Sequence, residues 1–130
     1  WIAPFDQMIM RAVKEAGGTC FLHVCNRDVN LDYYRDYDEK LYDVVNWGTF
    51  EVPCSLKEGR EIFHQRTVMG GLANRQGVLA AGSEEALVNT IRSVTETYGR
   101  KGFILGADCT VATEQDLSRI RLAVDTARKL

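Results

Sequence analysis

Phe21-Leu22-His23-Val24-Cys25 is an apolar run that carries one imidazole and one thiol two residues apart. It reads as a β-strand, in which residues i and i+2 point to the same face about 7 Å apart at Cα. His23 and Cys25 are therefore close enough to reach one metal ion, since Zn–N and Zn–S bonds are only about 2.0–2.3 Å long. A second apolar run, Phe103-Ile104-Leu105-Gly106-Ala107-Asp108, ends at Cys109. If these two strands are neighbours in a barrel, one His and two Cys converge. That is a zinc set with one position left for a substrate.

The chain around these two runs alternates between helical and strand patterns. Pro4 suits a first helical turn, where its missing N–H is not needed. Phe5, Ile9, Val13 and Ala16 follow at helical spacing, and Gly17-Gly18 stops the helix. The first strand is Thr19–Cys25. The polar, aromatic piece Asn30–Lys40 reads as a mostly exposed helix, with Tyr33, Tyr34 and Tyr37 on a solvated face that packs its rings on the neighbouring helix. Asp43–Trp47 is the second strand. Ser55 and Glu58 then fit a capping box for a helix that runs to about His64. Thr67–Gly70 is a third, short strand, and a loop from Gly71 leads to Gly82. Ser83 caps a helix with Glu84 and Glu85 at its positive end and Leu87, Ile91, Val94 and Tyr98 on its inner face. Gly102–Cys109 is the fourth strand. Thr113–Asp116 caps a last helix lined by Leu117, Ile120, Val124 and Ala127.

The order α-βα-βα-βα-βα predicts an α/β fold with a parallel sheet and covering helices. The strands are apolar without strict alternation, as expected when both faces are buried. Four βα units make half of a (β/α)8 TIM barrel, in which the chemistry sits at the C-terminal ends of the strands. His23, Cys25, Asn46, Trp47, Gly70, Gly71, Asp108 and Cys109 all lie at those ends.

The bulk properties are those of one globular domain. The chain has 130 residues, 45% hydrophobic and 26% charged, and a net charge of −2. Scattered Lys and Arg speak against nucleic acid or an anionic membrane as partner. No apolar run reaches the ~18 residues of a membrane span, and there is no secretory signal. Four sparse cysteines beside an ample core argue for reduced thiols and a cytoplasmic location. A start at Trp1 without an initiator Met reads as part of a longer chain. Cys20, opposite in parity to His23, reads as a packing residue, Cys54 as an inert thiol and His64 as a surface histidine.

Leu22-His23-Val24-Cys25, Val45-Asn46-Trp47, Met69-Gly70-Gly71-Leu72, Ala81-Gly82-Ser83-Glu84-Glu85 and Ile104-Leu105-Gly106-Ala107-Asp108-Cys109 come in an order that resembles the C-terminal half of the uroporphyrinogen decarboxylase (URO-D) superfamily. The resemblance covers nearly the whole chain. It is greatest to the cobalamin-dependent zinc methyltransferase branch, whose His-x-Cys…Cys motif falls on His23, Cys25 and Cys109. It implies zinc held by those three residues and a corrinoid as methyl donor, on a partner protein or as a ligand. A small-molecule thiol would be the acceptor and the missing N-terminal half-barrel a further partner. Their place at the strand ends makes Asn46, Trp47, Gly70, Gly71 and Asp108 the expected substrate contacts, with Asp108 also set to support its neighbour Cys109, although Gly70-Gly71 equally fits an ordinary strand exit. True decarboxylases carry Gly-His-Gly where this chain has Ala107-Asp108-Cys109, and their tetrapyrrole-binding residues belong to the N-terminal half.

Three readings follow. The first is a zinc-dependent methyltransferase, inactive as this piece alone. The second is a uroporphyrinogen or tetrapyrrole decarboxylase without a metal. The third is a non-catalytic half-barrel binding module. Two open strand edges predict that the piece forms a homodimer or packs on the other half of the barrel.

Overall fold

The computed structural model describes residues 1–130. Four parallel strands form one sheet in the order of the sequence, β1 (Phe21–Val24), β2 (Val44–Trp47), β3 (Thr67–Leu72) and β4 (Phe103–Ala107). The register pairs Phe21 with Val44, Val44 with Thr67 and Val68 with Phe103. Five α-helices cover the sheet: α1 (Ala3–Glu15) precedes β1, α2 (Leu56–Ile62) follows β2, α3 (Gly77–Ala80) and α4 (Glu84–Tyr98) lie between β3 and β4, and α5 (Leu117–Arg128) follows β4, while only short 3-10 turns join β1 to β2. This is the expected α/β half-barrel of four βα units.

Local chemistry places the helix starts where the sequence put them. Pro4 lies in the first turn of α1. The Ser55 side chain accepts from Glu58 N, and the Glu58 carboxylate returns to Ser55 N, closing a capping box. Ser83 and Asp116 cap α4 and α5 by accepting from Ala86 N and Ser118 N.

Other boundaries differ. Asn30–Lys40 is not one exposed helix but two 3-10 turns, Leu31–Tyr34 and Glu39–Leu41. Asn30 and Asp38 each accept from the N–H two residues on and restart the chain twice, which breaks a continuous helix. Leu31, Tyr37 and Leu41 are buried, and Tyr37 donates to Asp6 Oδ2 at 2.8 Å, so only Tyr33 of the tyrosines is strongly exposed. Helix α2 ends at Ile62, and His64 adopts a left-handed φ of 51° beyond it. The expected loop after Gly71 contains α3, while β3 extends to Leu72 and β4 stops before Asp108. In α1 the buried side is Met10 rather than Phe5 and Ile9, which are exposed.

The core has two parts. Under α1 and α2, Val45, Trp47, Tyr42, Phe63 and Val68 pack with no exposed surface. Trp47 lies 5.8 Å from the Phe63 ring, and Gly59 leaves room for the indole, since a Cβ there would overlap it. Under α3, α4 and α5 a smaller cluster of Leu72, Leu79, Leu87, Ile91 and Ala123 borders an apolar hollow of about 410 Å³ between β4 and α5.

Candidate metal centre

Alternation along β1 turns Leu22 and Val24 to the helices and His23 to the concave side of the sheet, with Cys25 following just past the strand. Cys109 lies two residues beyond β4. These strands are not neighbours: β2 and β3 stand between them. In a flat sheet three strand spacings separate them by about 14 Å. Yet Cys109 Sγ is 3.5 Å from Cys25 Sγ and 3.4 Å from His23 Nε2. The sheet must therefore curl so that its two edges face each other across a concavity, as half a barrel does. The expectation of adjacent strands is replaced by convergence across the curl.

One ligand atom from each of His23, Cys25 and Cys109 lies within 4.8 Å of the others. Tetrahedral zinc with bonds of about 2.0–2.3 Å sets its ligands roughly 3.5–3.8 Å apart. The donor set and its spacing fit that ion. His23 and Cys25 are exposed and Cys109 half-buried, so the group faces solvent on one side. The two thiols are shifted in opposite directions. The hydrogen bond with Cys109 and that group's charge push Cys25 up. Burial pushes Cys109 up, but bonds from the Thr110 N–H, Cys25 and His23 outweigh it, and the net shift is down. Cys109 is thus the readier thiolate.

Two buried polar side chains support the group. Asn46, on the concave side of β2, is 5% exposed; its Oδ1 lies 2.5 Å from His23 Nδ1. Asp108, 1% exposed, accepts from the Thr49 hydroxyl at 2.8 Å and the Phe50 N–H at 3.1 Å through Oδ2, while Oδ1 has no partner. Burial pushes the Asp108 carboxyl above its usual range despite these two donors. The carboxylate ties the residue before Cys109 to the loop after β2.

Trp47 is placed elsewhere. It is fully buried on the helix side, with Nε1 donating to the Cys54 carbonyl at 3.0 Å, and does not reach the mouth. Strand parity explains the correction: Asn46 and Trp47 are adjacent, so only one of them faces the concavity. The glycines have packing reasons. A Cβ on Gly70 would stand 3.1 Å from Asp108 Oδ1, and Gly71, at φ 101°, would drive one into Val94. Cys20 is 8% exposed and its thiol is pushed up by burial, with Asp43 adding to the shift. Cys54 is half-buried and raised by burial as well.

Sequence reasoning missed a second hollow at this end of the sheet, about 330 Å³, lined by Arg27, Phe50, Glu51, Asn74, Arg75 and Gln76. The signal was available: Arg27 is two residues past Cys25, and Asn74-Arg75-Gln76 follows β3 at its C-terminal end.

A family model described as uroporphyrinogen decarboxylase (URO-D) matches residues 1–130. A solved methyltransferase from Methanosarcina mazei is similar in fold, with a TM-score of 0.67 at 17% sequence identity. The match covers 92% of this chain and 34% of that one, so the chain spans about a third of that protein's length. No curated protein matches. No helix is long and apolar enough to cross a membrane.

Proposed function

Because this chain belongs to the uroporphyrinogen decarboxylase (URO-D) family, we propose that it is the zinc-holding part of a cytoplasmic methyltransferase that moves a methyl group from a corrinoid to a small-molecule thiol. The observation that carries this reading is the meeting of His23, Cys25 and Cys109 from opposite edges of the sheet, within 4.8 Å. One imidazole and two thiolates leave one of zinc's four usual positions free. Bound there, zinc would act as a Lewis acid and keep a substrate thiol deprotonated near neutral pH.

The protein's own groups do the rest. Cys109 enters as the more acidic thiol and Cys25 closes the set from the opposite edge. Asp108 holds the loop 49–50 against the residue before Cys109 and fixes the rim. The concave mouth brings donor and acceptor together, which is most of what methyl transfer requires. A bound corrinoid would supply the methyl group and keep the electron pair of the bond that breaks, while the substrate sulfur would form the new S–C bond and the thiol proton would pass to solvent.

The resemblance in fold to a methyltransferase is consistent with this reading. The unpaired edges of β1 and β4, with Phe21 and Ile104 exposed, suit completion by a second half-barrel or a second copy. The test is elemental analysis of the reduced protein. Close to one zinc per chain is expected, lost in His23→Ala and Cys109→Ala and kept in Cys20→Ala. No zinc after reconstitution, or zinc retained in the first two variants, would overturn the reading.

A further inference from the structure

Asn46 joins three other strands through one amide. Its Nδ2 donates to the Met69 carbonyl of β3 at 2.9 Å and the Ala107 carbonyl of β4 at 3.4 Å. Its Oδ1 faces His23 Nδ1 of β1. A carbonyl oxygen can only accept, so two carbonyls on one side fix the amide nitrogen there; the reversed amide would crowd three oxygens together. The amide oxygen is thereby directed at His23. It cannot donate, so Nδ1 must carry the proton, and in neutral imidazole the lone pair then lies on Nε2. Nε2 is the atom beside Cys109 Sγ. At 5% exposure the amide has little access to water that could replace these partners.

We propose that Asn46 is a positioning residue that holds His23 in the Nδ1–H tautomer and so presents Nε2 to the metal. This rests on the metal reading above. Asn46 would act through His23 and not as a ligand itself.

Long-range 1H–15N correlation spectra of the metal-free, reduced protein test it directly. They are recorded in mildly basic buffer, so that the two tautomers of the neutral ring are what is compared. The chain has only two histidines, and the second is an internal control. His64 Nε2 donates to the Arg35 carbonyl at 2.8 Å, which fixes the opposite tautomer. His23 is expected as Nδ1–H and His64 as Nε2–H. In Asn46→Leu, similar in size but without an acceptor, His23 shifts toward Nε2–H and zinc affinity falls about 10–100-fold. In Asn46→Asp one oxygen still faces Nδ1 but the other meets the Met69 and Ala107 carbonyls, so the tautomer is expected to hold at a cost in stability. An Nε2–H signal for His23 in the wild type overturns the proposal without recourse to any variant. So does unchanged zinc affinity in a folded Asn46→Leu protein. A wild type that holds the Nδ1–H tautomer yet binds no zinc upholds the hydrogen-bond assignment and overturns the metal reading instead.

Discussion

At the N-terminal end of the sheet, Asp43 accepts two bonds from Lys14 Nζ, at 2.8 and 2.9 Å, and one from the Cys20 N–H at 2.8 Å. These donors hold its carboxyl below the usual range. At the C-terminal end, Asp108 is buried with one oxygen unpartnered, and burial drives its carboxyl up. The thiols reverse in the same way. Cys20 at the first end is buried and raised, whereas Cys109 at the other is half-buried and lowered. The same two residue types thus serve structure at one end, where both Asp43 oxygens are partnered and Cys20 is packed away. At the other they are held in costly or reactive states, as expected where chemistry is placed.

Trp47 is the strongest challenge to that division, because it sits at the chemical end but faces the helices. Trp47→Ala should cost about 3–5 kcal/mol in urea unfolding, the ordinary range for emptying a large aromatic site. A loss below about 1 kcal/mol would mean that the face of a strand matters less than its end. The thiols give a smaller effect. In the metal-free folded protein, alkylation followed by mass spectrometry should find Cys109 modified at least about tenfold faster than Cys20, and zinc should slow Cys109 alone of the two. Equal rates would erase the contrast.

The carboxylates give the smallest effect, near 1 kcal/mol or less once partial exposure of the Lys14–Asp43 pair is allowed for. A lowered folded pKa means that Asp43 contributes stability above the ordinary value of about 3.9 and loses it as pH falls through the folded value. The raised Asp108 has the opposite sign: the folded state binds its proton more tightly, so stability declines as pH rises from about 3.9 through the raised value. Unfolding curves of Asp43→Ala and Asp108→Asn against pH should therefore depart from the wild type with opposite slopes. Parallel departures would show that the two carboxyls are not in contrasting environments.

Much of this was legible before any coordinates. The Ser55–Glu58 box, Ser83, Asp116 and Pro4 act within four residues, so the sequence shows their whole mechanism. His23 and Cys25 share a site because of the period of a strand, again a local fact. The Asn30–Lys40 segment was misread because side-chain acceptors at Asn30 and Asp38 compete with a helix, and tyrosine spacing conceals that competition. Trp47 was misplaced although parity alone would have turned it away from Asn46. The task of Asn46 was not legible at all, since it depends on carbonyls of two strands that no local pattern brings together. The meeting of β1 and β4 depends likewise on the curl of the sheet.

The sheet follows the order of the chain, and this has a consequence for synthesis. Each strand pairs with the one made just before it, Phe21 with Val44, Val44 with Thr67 and Val68 with Phe103. A chain emerging N-terminus first finds every partner already present. The longer last connection adds only about 0.4 kcal/mol of closure entropy over the earlier ones. Cys25, in contrast, waits 84 residues for Cys109. The three donors can meet only after the last strand has docked, so a nascent chain acquires its metal-binding group at the close of folding and cannot use that group to guide the earlier steps.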